Sequence, residues 1–454
     1  MSVLSVYFET RVVGTIEVGV DGPTFVYDPE WLRTKGAFPL SITMPLSTTP
    51  VKASVFLPWV QNLLPEGAQL RAICSILGAS PDDVIGILSE IGRDTAGALS
   101  IGQPGSSSPG SWKPVTKARN LERIINELPS KPFLAGEDGV SMSLAGVQNK
   151  LGVAIDANAR ICIPVDGAPS THILKPDSTS LHGGVHNEAL CLTLARRCGL
   201  NASAVTTGKA GERSYLLVTR YDRLLQGARW RRLHQEDYCQ ALGKPPAAKY
   251  ESNQTGVKGP TLADMFALTR NAMGARDILG LLDYVIFNVI ACNTDAHAKN
   301  YSLMISGQGF ALAPLYDVMC AEAWPNVTRN LAQKIAEKNR GEHLKGRHWE
   351  RLAVDCGLNP TRILRRVDEL ASLVLTELDA AVAEVNAMPA GTHGMMLEFK
   401  EAIAARARAV CSGLKETEAM AVKPAAKAVA RAAKGVKSKA KKAKIVRRKT
   451  AKAT

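Results

Sequence analysis

The first hundred residues place their apolar side chains with two different periods. Residues 3–8, 12–18 and 24–27 are β-branched and aromatic runs separated by Gly and Asp, which predicts three short strands, and residues 41–46 predict another. From residue 56 the spacing becomes helical. Residues 56–67 and 69–77 read as helices, and Ser80-Pro81-Asp82-Asp83 reads as a helix start, with Ser at the cap and Pro at the first helical position. These elements make an α+β unit over residues 1–102. Residues 103–114 are rich in Gly, Ser and Pro without apolar alternation, so 103–117 is expected to be a linker.

A second body is expected from residue 118. Residues 141–155 read as strand, loop and strand, with Ala145 and Gly146 at a tip whose backbone N–H groups suit a phosphate. A short strand ends in Ile173-Leu174-Lys175. Residues 185–198 follow as an amphipathic helix, with Leu190, Leu194 and Cys198 on one face and Gly199 as its stop. Residues 215–222 are an apolar strand. From residue 236 the pattern is mostly helical, at 261–272, 278–291, 360–374 and 375–385. A β-rich part over 118–235 is thus followed by a helical part over 236–415.

The helical run 278–291 leads into Asn293-Thr294-Asp295-Ala296-His297-Ala298-Lys299-Asn300. Asp295 and Asn300 are separated by four residues. That spacing sets a carboxylate beside an acceptor hydroxyl and an amide on Mg²⁺ in a kinase catalytic loop. A hairpin through Ser306-Gly307-Gln308-Gly309 then brings up Asp317, where a kinase holds the metal that bridges the β- and γ-phosphates. Lys175, at its strand end, stands where kinases place a lysine on the α- and β-phosphates. Glu188 is placed either to pair with Lys175 or to serve the helix N-terminus.

Composition removes several classes. An apolar content of 46% and a charged content of 22% are ordinary for a globular chain of 454 residues. Nine cysteines without a Cys-x-x-Cys pair read as reduced core residues, not as disulfides or a zinc site. The start of the chain has no basic and apolar leader, and no run reaches the ~20 apolar residues of a membrane span, so a cytoplasmic protein without membrane contact is expected. The net charge of +14 is concentrated at one end. Residues 423–454 hold ten Lys, three Arg and no acid, which leaves +1 for the other 422 residues. The segment 416–454 is expected to be a disordered Ala/Lys-rich tail with affinity for DNA or RNA, which would associate the chain with the nucleoid, and its charge says nothing of the cleft.

Thr294-Asp295-Ala296-His297-Ala298-Lys299-Asn300 and Leu312-Ala313-Pro314-Leu315-Tyr316-Asp317-Val318 resemble the signature of the HipA family of serine/threonine kinase toxins. Ser143-Leu144-Ala145-Gly146-Val147-Gln148-Asn149-Lys150, His172-Ile173-Leu174-Lys175-Pro176 and His234-Gln235-Glu236-Asp237-Tyr238-Cys239-Gln240 match further motifs in family order. Asn62-Leu63-Leu64-Pro65-Glu66-Gly67 and Asp94-Thr95-Ala96-Gly97-Ala98-Leu99 resemble stretches of the family's N-terminal unit. The resemblance implies an α+β, bilobed protein-kinase-like fold, with an N-terminal α+β subdomain that contacts an antitoxin, a mostly helical C-terminal lobe and, here, the basic tail.

It implies ATP and Mg²⁺ as cofactors and Asp295 as the catalytic residue. Asn300 and Asp317 become metal ligands. Residues Leu144 to Lys150, Lys175, Thr219, Tyr221, His297 and Asn300 become nucleotide contacts, with Thr219 and Tyr221 in the hinge. The family often has an acidic residue where Thr219 stands, so its contact is expected from the backbone. His297 either lies against the nucleotide or packs the loop. Ser143 would be autophosphorylated, and a phosphate of about −2 charge in the phosphate cradle repels ATP. The implied partners are a helix-turn-helix antitoxin, operator DNA through the complex, and a protein substrate such as an aminoacyl-tRNA synthetase. The alternative is a DNA-associated corepressor with little kinase activity, and behind it a small-molecule kinase.

Overall fold

The computed structural model of the chain describes residues 2–106, 111–178 and 180–415. The basic tail and residues 107–110 of the expected linker lie outside the described residues. Strands β1 (Ser2–Phe8), β2 (Arg11–Gly19), β3 (Gly22–Tyr27) and β4 (Leu99–Ile101) form an antiparallel sheet in the order β3-β2-β1-β4. Helices α1 (Pro29–Arg33), α2 (Ala53–Gln61), α3 (Gly67–Leu77) and α4 (Val84–Ile91) complete this unit. Two local expectations are corrected. Residues 41–46 form a turn, not a strand, because the Tyr27 hydroxyl donates to the Met44 carbonyl at 2.6 Å and accepts the Leu40 N–H at 2.8 Å. Helix α4 is capped by Asp83, whose carboxylate takes the Gly86 N–H at 2.9 Å, so the helix begins after Ser80-Pro81.

The stretch read as linker ends in a strand. β5 (Trp112–Pro114) is the edge of a six-stranded sheet, β5-β7-β6-β8-β10-β9, with β6 (Leu151–Ile155), β7 (Ile161–Pro164), β8 (His172–Pro176), β9 (Val205–Ala210) and β10 (Arg213–Thr219). Helix α5 (Ala118–Glu127) packs near β9. No strand precedes the phosphate loop. Residues 141–150 are instead tied to the first unit by lone bridges, Thr95 to Ser143 and Pro65 to Gly146. Helix α6 (Gly184–Arg197) was expected to bury one face, yet residues 184–195 are all buried. It is wedged between β9 and β10 on one side and a long C-terminal helix on the other.

The remainder mixes strands into a helical body. A hairpin of β11 (Arg223–Gln226) and β12 (Arg229–Arg232) leads to β13 (His234–Asp237) and α7 (Tyr238–Ala241). Helices α8 (Leu262–Ala272) and α9 (Ala275–Ile290) precede the catalytic-loop segment, and β14 (Ser302–Ser306) with β15 (Gly309–Leu312) then extends β13 into a three-stranded sheet. After β16 (Asn330–Ile335), β17 (Lys338–Arg340) and α10 (Gly346–Asp355), one continuous helix α11 (Pro360–Asn386) covers both helical runs expected there, and α12 (Met396–Leu414) packs on it. Two apolar cores result. One joins α6 to α8–α12. The other joins the first unit to the six-stranded sheet through Val6, Phe56, Leu88, Phe133, Leu151 and Leu174. Among the described residues no helix is long and apolar enough to cross a membrane.

Candidate active site

The floor of the cleft is the loop after α9. An asparagine ladder holds it: Asn293 Nδ2 donates to Asn288 Oδ1 at 2.7 Å, and Asn293 Oδ1 accepts the Asp295 N–H at 3.1 Å. A 3₁₀ turn over Ala298–Asn300 folds Asn300 back, so that its Nδ2 donates to the Asp295 carbonyl at 2.8 Å. That bond fixes the orientation of the amide. The Tyr250 hydroxyl donates to Asp295 Oδ1 at 2.6 Å. Loss of water around the Asp295 carboxyl raises its pKa above the ordinary carboxylate value; the Tyr250 bond lowers it and Asp317 raises it further.

Opposite stands a lysine held by two carboxylates. Lys175 Nζ lies 2.7 Å from Glu188 Oε1 and 2.8 Å from Asp317 Oδ1. Glu188 is the fifth residue of α6, one residue deeper than the sequence suggested, and its side chain is 2% exposed. Burial works against the charge on Lys175, but Asp317 and Glu188 outweigh it and raise its pKa. Burial likewise works to raise the Asp317 pKa, and the ammonium groups of Lys175 and Lys150 override it, so Asp317 stays ionised. Asp317 has φ +57°, a left-handed conformation uncommon for a residue with a side chain, though Asp is among those that tolerate it.

The phosphate loop closes over this pair. Gly146 has φ +109°, a conformation that needs glycine, and a Cβ there would stand 2.8 Å from Lys150 Nζ and push that ammonium aside. Lys150 Nζ donates to the Ala145 carbonyl at 2.6 Å, and burial, with Lys175 nearby, pushes its pKa down to about 8. Residues 144–150, Lys175, Glu188, Thr219, Tyr221, Asp295, His297, Asn300 and Asp317 all border one cavity of about 680 Å³. Ser143 does not border it. Its hydroxyl is buried and donates to the Leu63 carbonyl at 2.7 Å. His297 has a pKa pushed down to about 3, first by burial and then by Lys249, so the ring is neutral.

At the hinge, the Thr219 N–H is given to the Ala204 carbonyl at 2.9 Å and Tyr221 donates its hydroxyl to Gln235 at 2.8 Å. Behind it lies a buried cluster of three guanidiniums and two carboxylates. Asp94 is 2.8 Å from Arg223, 3.3 Å from Arg232 and 3.7 Å from Arg220, while Asp222 is 2.7 Å from Arg220 and 3.0 Å from Arg223. Asp94 belongs to the first unit and the other four residues to the second.

Several wall residues were not singled out from the sequence. Lys249 Nζ pairs with Glu66 Oε2 at 2.8 Å, and Lys299 Nζ with Asn62 Oδ1 at 2.6 Å and Asp237 at 3.2 Å. Glu66 and Asn62 come from the first unit, 183 and 237 positions before the lysines they meet, and although the stretch 62–67 resembles the family's N-terminal unit, no local spacing marks them as part of the cleft. A second cavity, of about 480 Å³, borders the other side of Asp295 and Tyr250; Leu181, Met319, Trp324, Val327 and Leu331 line it with Asn293, Asn330 and Asn339.

For Mg²⁺ the fit is the sparse kind. No group of three or more His, Cys, Asp or Glu among the described residues suits a metal cage. One carboxylate (Asp317) and one amide oxygen (Asn300) bordering the same cavity match the way this ion is held by few protein oxygens, waters and substrate phosphates.

A β-rich lobe and a helical lobe enclosing a lysine–two-carboxylate centre and an Asp-x₄-Asn loop define a kinase-like bilobed protein. Two family models match: HipA N-terminal domain over residues 4–102 and HipA-like C-terminal domain over residues 142–378. The chain belongs to the HipA family. It is 34% identical to Y4mE of Sinorhizobium fredii, whose name proposes a kinase, over 90% of this chain and 98% of that one. It is 28% identical to the serine/threonine-protein kinase toxin HipA of Shewanella oneidensis, over 83% of this chain and 90% of that one. Its fold is similar to the structure of the Shewanella oneidensis MR-1 toxin–antitoxin system HipA, HipB and operator DNA complex, with a TM-score of 0.79 at 24% identity, covering 92% of this chain and all of that chain.

Proposed function

We propose that this chain is an ATP- and Mg²⁺-dependent serine/threonine protein kinase, the toxin of a toxin–antitoxin pair. The observation that carries the reading is Lys175 bridging Glu188 and Asp317 on one wall of a cavity whose other wall is Asp295 and Asn300. Lys175 and the backbone of residues 144–150 receive the non-transferred phosphates, and the carbonyl of Thr219 offers an acceptor for a base. Asn300 and Asp317 hold Mg²⁺, which when bound neutralises charge on the phosphates. The acceptor chain enters through the second cavity, and its Ser or Thr hydroxyl displaces Tyr250 from Asp295. The hydroxyl oxygen bonds to the γ-phosphorus, the bond from that phosphorus to the β-phosphate oxygen breaks, and Asp295 takes the hydroxyl proton.

The partners follow from the family. A HipB-like helix-turn-helix antitoxin neutralises the chain and brings it to operator DNA, in keeping with the solved relative. The acceptor is a translation protein, an aminoacyl-tRNA synthetase by resemblance. Ser143 is the off-switch: a phosphate does not fit where its hydroxyl now meets Leu63, so modification expels the loop. The second reading, a corepressor with little kinase activity, draws on the thirteen cations of residues 423–454.

The deciding experiment follows γ-phosphate from labelled ATP and Mg²⁺ into the chain itself and into a soluble bacterial protein extract. Wild type labels both, Asp295→Asn labels neither while still binding ATP, and Ser143→Ala labels the extract alone. Wild type that binds ATP but labels nothing supports the corepressor.

A further inference from the structure

We propose that Lys249 is a further catalytic residue, whose ammonium meets the transferred phosphoryl group, and that Glu66 of the first unit holds it ready. The proposal rests on the kinase reading above. Four lysines border the cavity. Lys175 is committed to Glu188 and Asp317, Lys150 to the Ala145 carbonyl, and Lys299 to Asn62 and Asp237. All three are thus fixed on the loop and lobe walls. Lys249, like Lys299, is joined to the Asp295–Asn300 loop, and it is the one next in the chain to the tyrosine that bonds Asp295.

Its place there is set by the backbone. The Lys249 carbonyl accepts the N–H of Ala298, inside the Asp295–Asn300 loop, at 3.2 Å. The next residue, Tyr250, puts its hydroxyl on Asp295, and the Lys249 ammonium lies 5.6 Å from that ring's centroid. The ammonium therefore keeps station with the carboxylate that receives the acceptor hydroxyl. Lys249 is 7% exposed, and an unbalanced charge so placed is costly, which explains its pairing with Glu66 at 2.8 Å. Glu66 arrives on the segment that also grips the phosphate loop: its N–H donates to the Gly146 carbonyl at 3.0 Å. Its other oxygen has no hydrogen-bond partner among the described residues and lies 4.0 Å from Lys299. Glu66 is thus shared between two ammonium groups, and Lys249 is released from it while Lys299 remains.

In the transfer, negative charge passes to the phosphate oxygens and then to the departing ADP while the proton goes to Asp295. Lys249 supplies fixed positive charge and exchanges no proton. Lys175 serves the non-transferred phosphates and Mg²⁺ would bridge them to the transferred group, so a side-chain cation on the transferred group itself is the component they leave out.

The test measures kcat and KM for ATP as label incorporated into a soluble bacterial protein extract by the full-length chain. Lys249→Met lowers kcat by ~100-fold or more with the KM for ATP within ~threefold of wild type, and Lys249→Arg recovers ~tenfold or more of that loss. Glu66→Gln lowers kcat by ~three- to tenfold, less than Lys249→Met, because it removes the holder and not the cation. Lys249→Met with kcat within ~threefold of wild type overturns the proposal, and so does Glu66→Gln that loses as much as Lys249→Met, since the pair is then structural. Should Lys249→Met unfold, Glu66→Gln decides by the same criterion. A wild type that incorporates no label, or labels equally as Asp295→Asn, overturns the kinase reading, and this one falls with it.

Discussion

Tyr250 donates its hydroxyl hydrogen to Asp295 Oδ1 at 2.6 Å, the place that the proposed mechanism gives to the acceptor hydroxyl. The resting site therefore carries an internal stand-in for its substrate. The same bond lowers the Asp295 pKa against the larger upward effect of lost hydration. Tyr250→Phe removes the lowering contact. The base works when ionised and Tyr250 holds it only before the acceptor binds, so the acid limb of the kcat/KM–pH profile for the acceptor moves to higher pH, while kcat well above it is retained or raised. A limb that stays in place or moves down would show that Tyr250 does not set the ionisation of Asp295.

Glu188→Gln keeps the shape of the side chain and removes one of the two carboxylates on Lys175. Asp317 still balances the ammonium, so the loss is less than the ~3–5 kcal/mol of an orphaned buried charge, about 1–3 kcal/mol in urea unfolding. Lys175 is then free to follow Asp317, and the KM for ATP rises by about tenfold or more. Unchanged KM together with unchanged stability would mean that Glu188 neither positions nor stabilises the lysine.

The parts of the site that were readable in the sequence are those whose roles depend on short separations. Asp295, Asn300 and Asp317 share one loop and one hairpin, and Lys175 and Glu188 share a strand–helix step, so spacing carried them. Glu66, Lys249 and Tyr250 were missed because their partners lie across the fold, and Lys249 reads locally as an ordinary lysine after a Pro-rich turn. The strand expected at 41–46 failed for a similar reason, since a hydroxyl from Tyr27 competes for its backbone groups. Helix α6 was expected to show one face because its few polar positions suggested solvent. Instead, Asn187 and Glu188 point their polar groups at buried partners, Cys320 and Lys175.

The neutral histidines set an acid limit. His297 is held at about 3 and His234 at about 4, both chiefly by burial, against about 6.5 in an unfolded chain. Below pH 6.5 the unfolded state binds the protons, so the contribution is complete above that pH and is lost as pH falls toward these values, about 2 kcal/mol for each ring at pH 5. Glu236, pushed up by burial to about 8, works in the opposite direction. The histidine share is therefore read as a difference: between pH 7.5 and 5, His297→Gln loses less unfolding free energy than wild type. Parallel losses in the two proteins would rule out the assignment for His297.

The guanidinium–carboxylate cluster behind the hinge bears on whether this chain is modular. A reader of the sequence draws a seam near residue 102 and expects a detachable kinase half beyond it. Asp94 lies before that seam, and its carboxylate is one of only two that balance Arg220, Arg223 and Arg232. The first unit also shares its apolar core with the six-stranded sheet. A shortened chain that begins after the seam would carry three arginines against Asp222 alone and a bared oily face. It would be an insoluble fragment, and the two halves have to be inherited, expressed and degraded together.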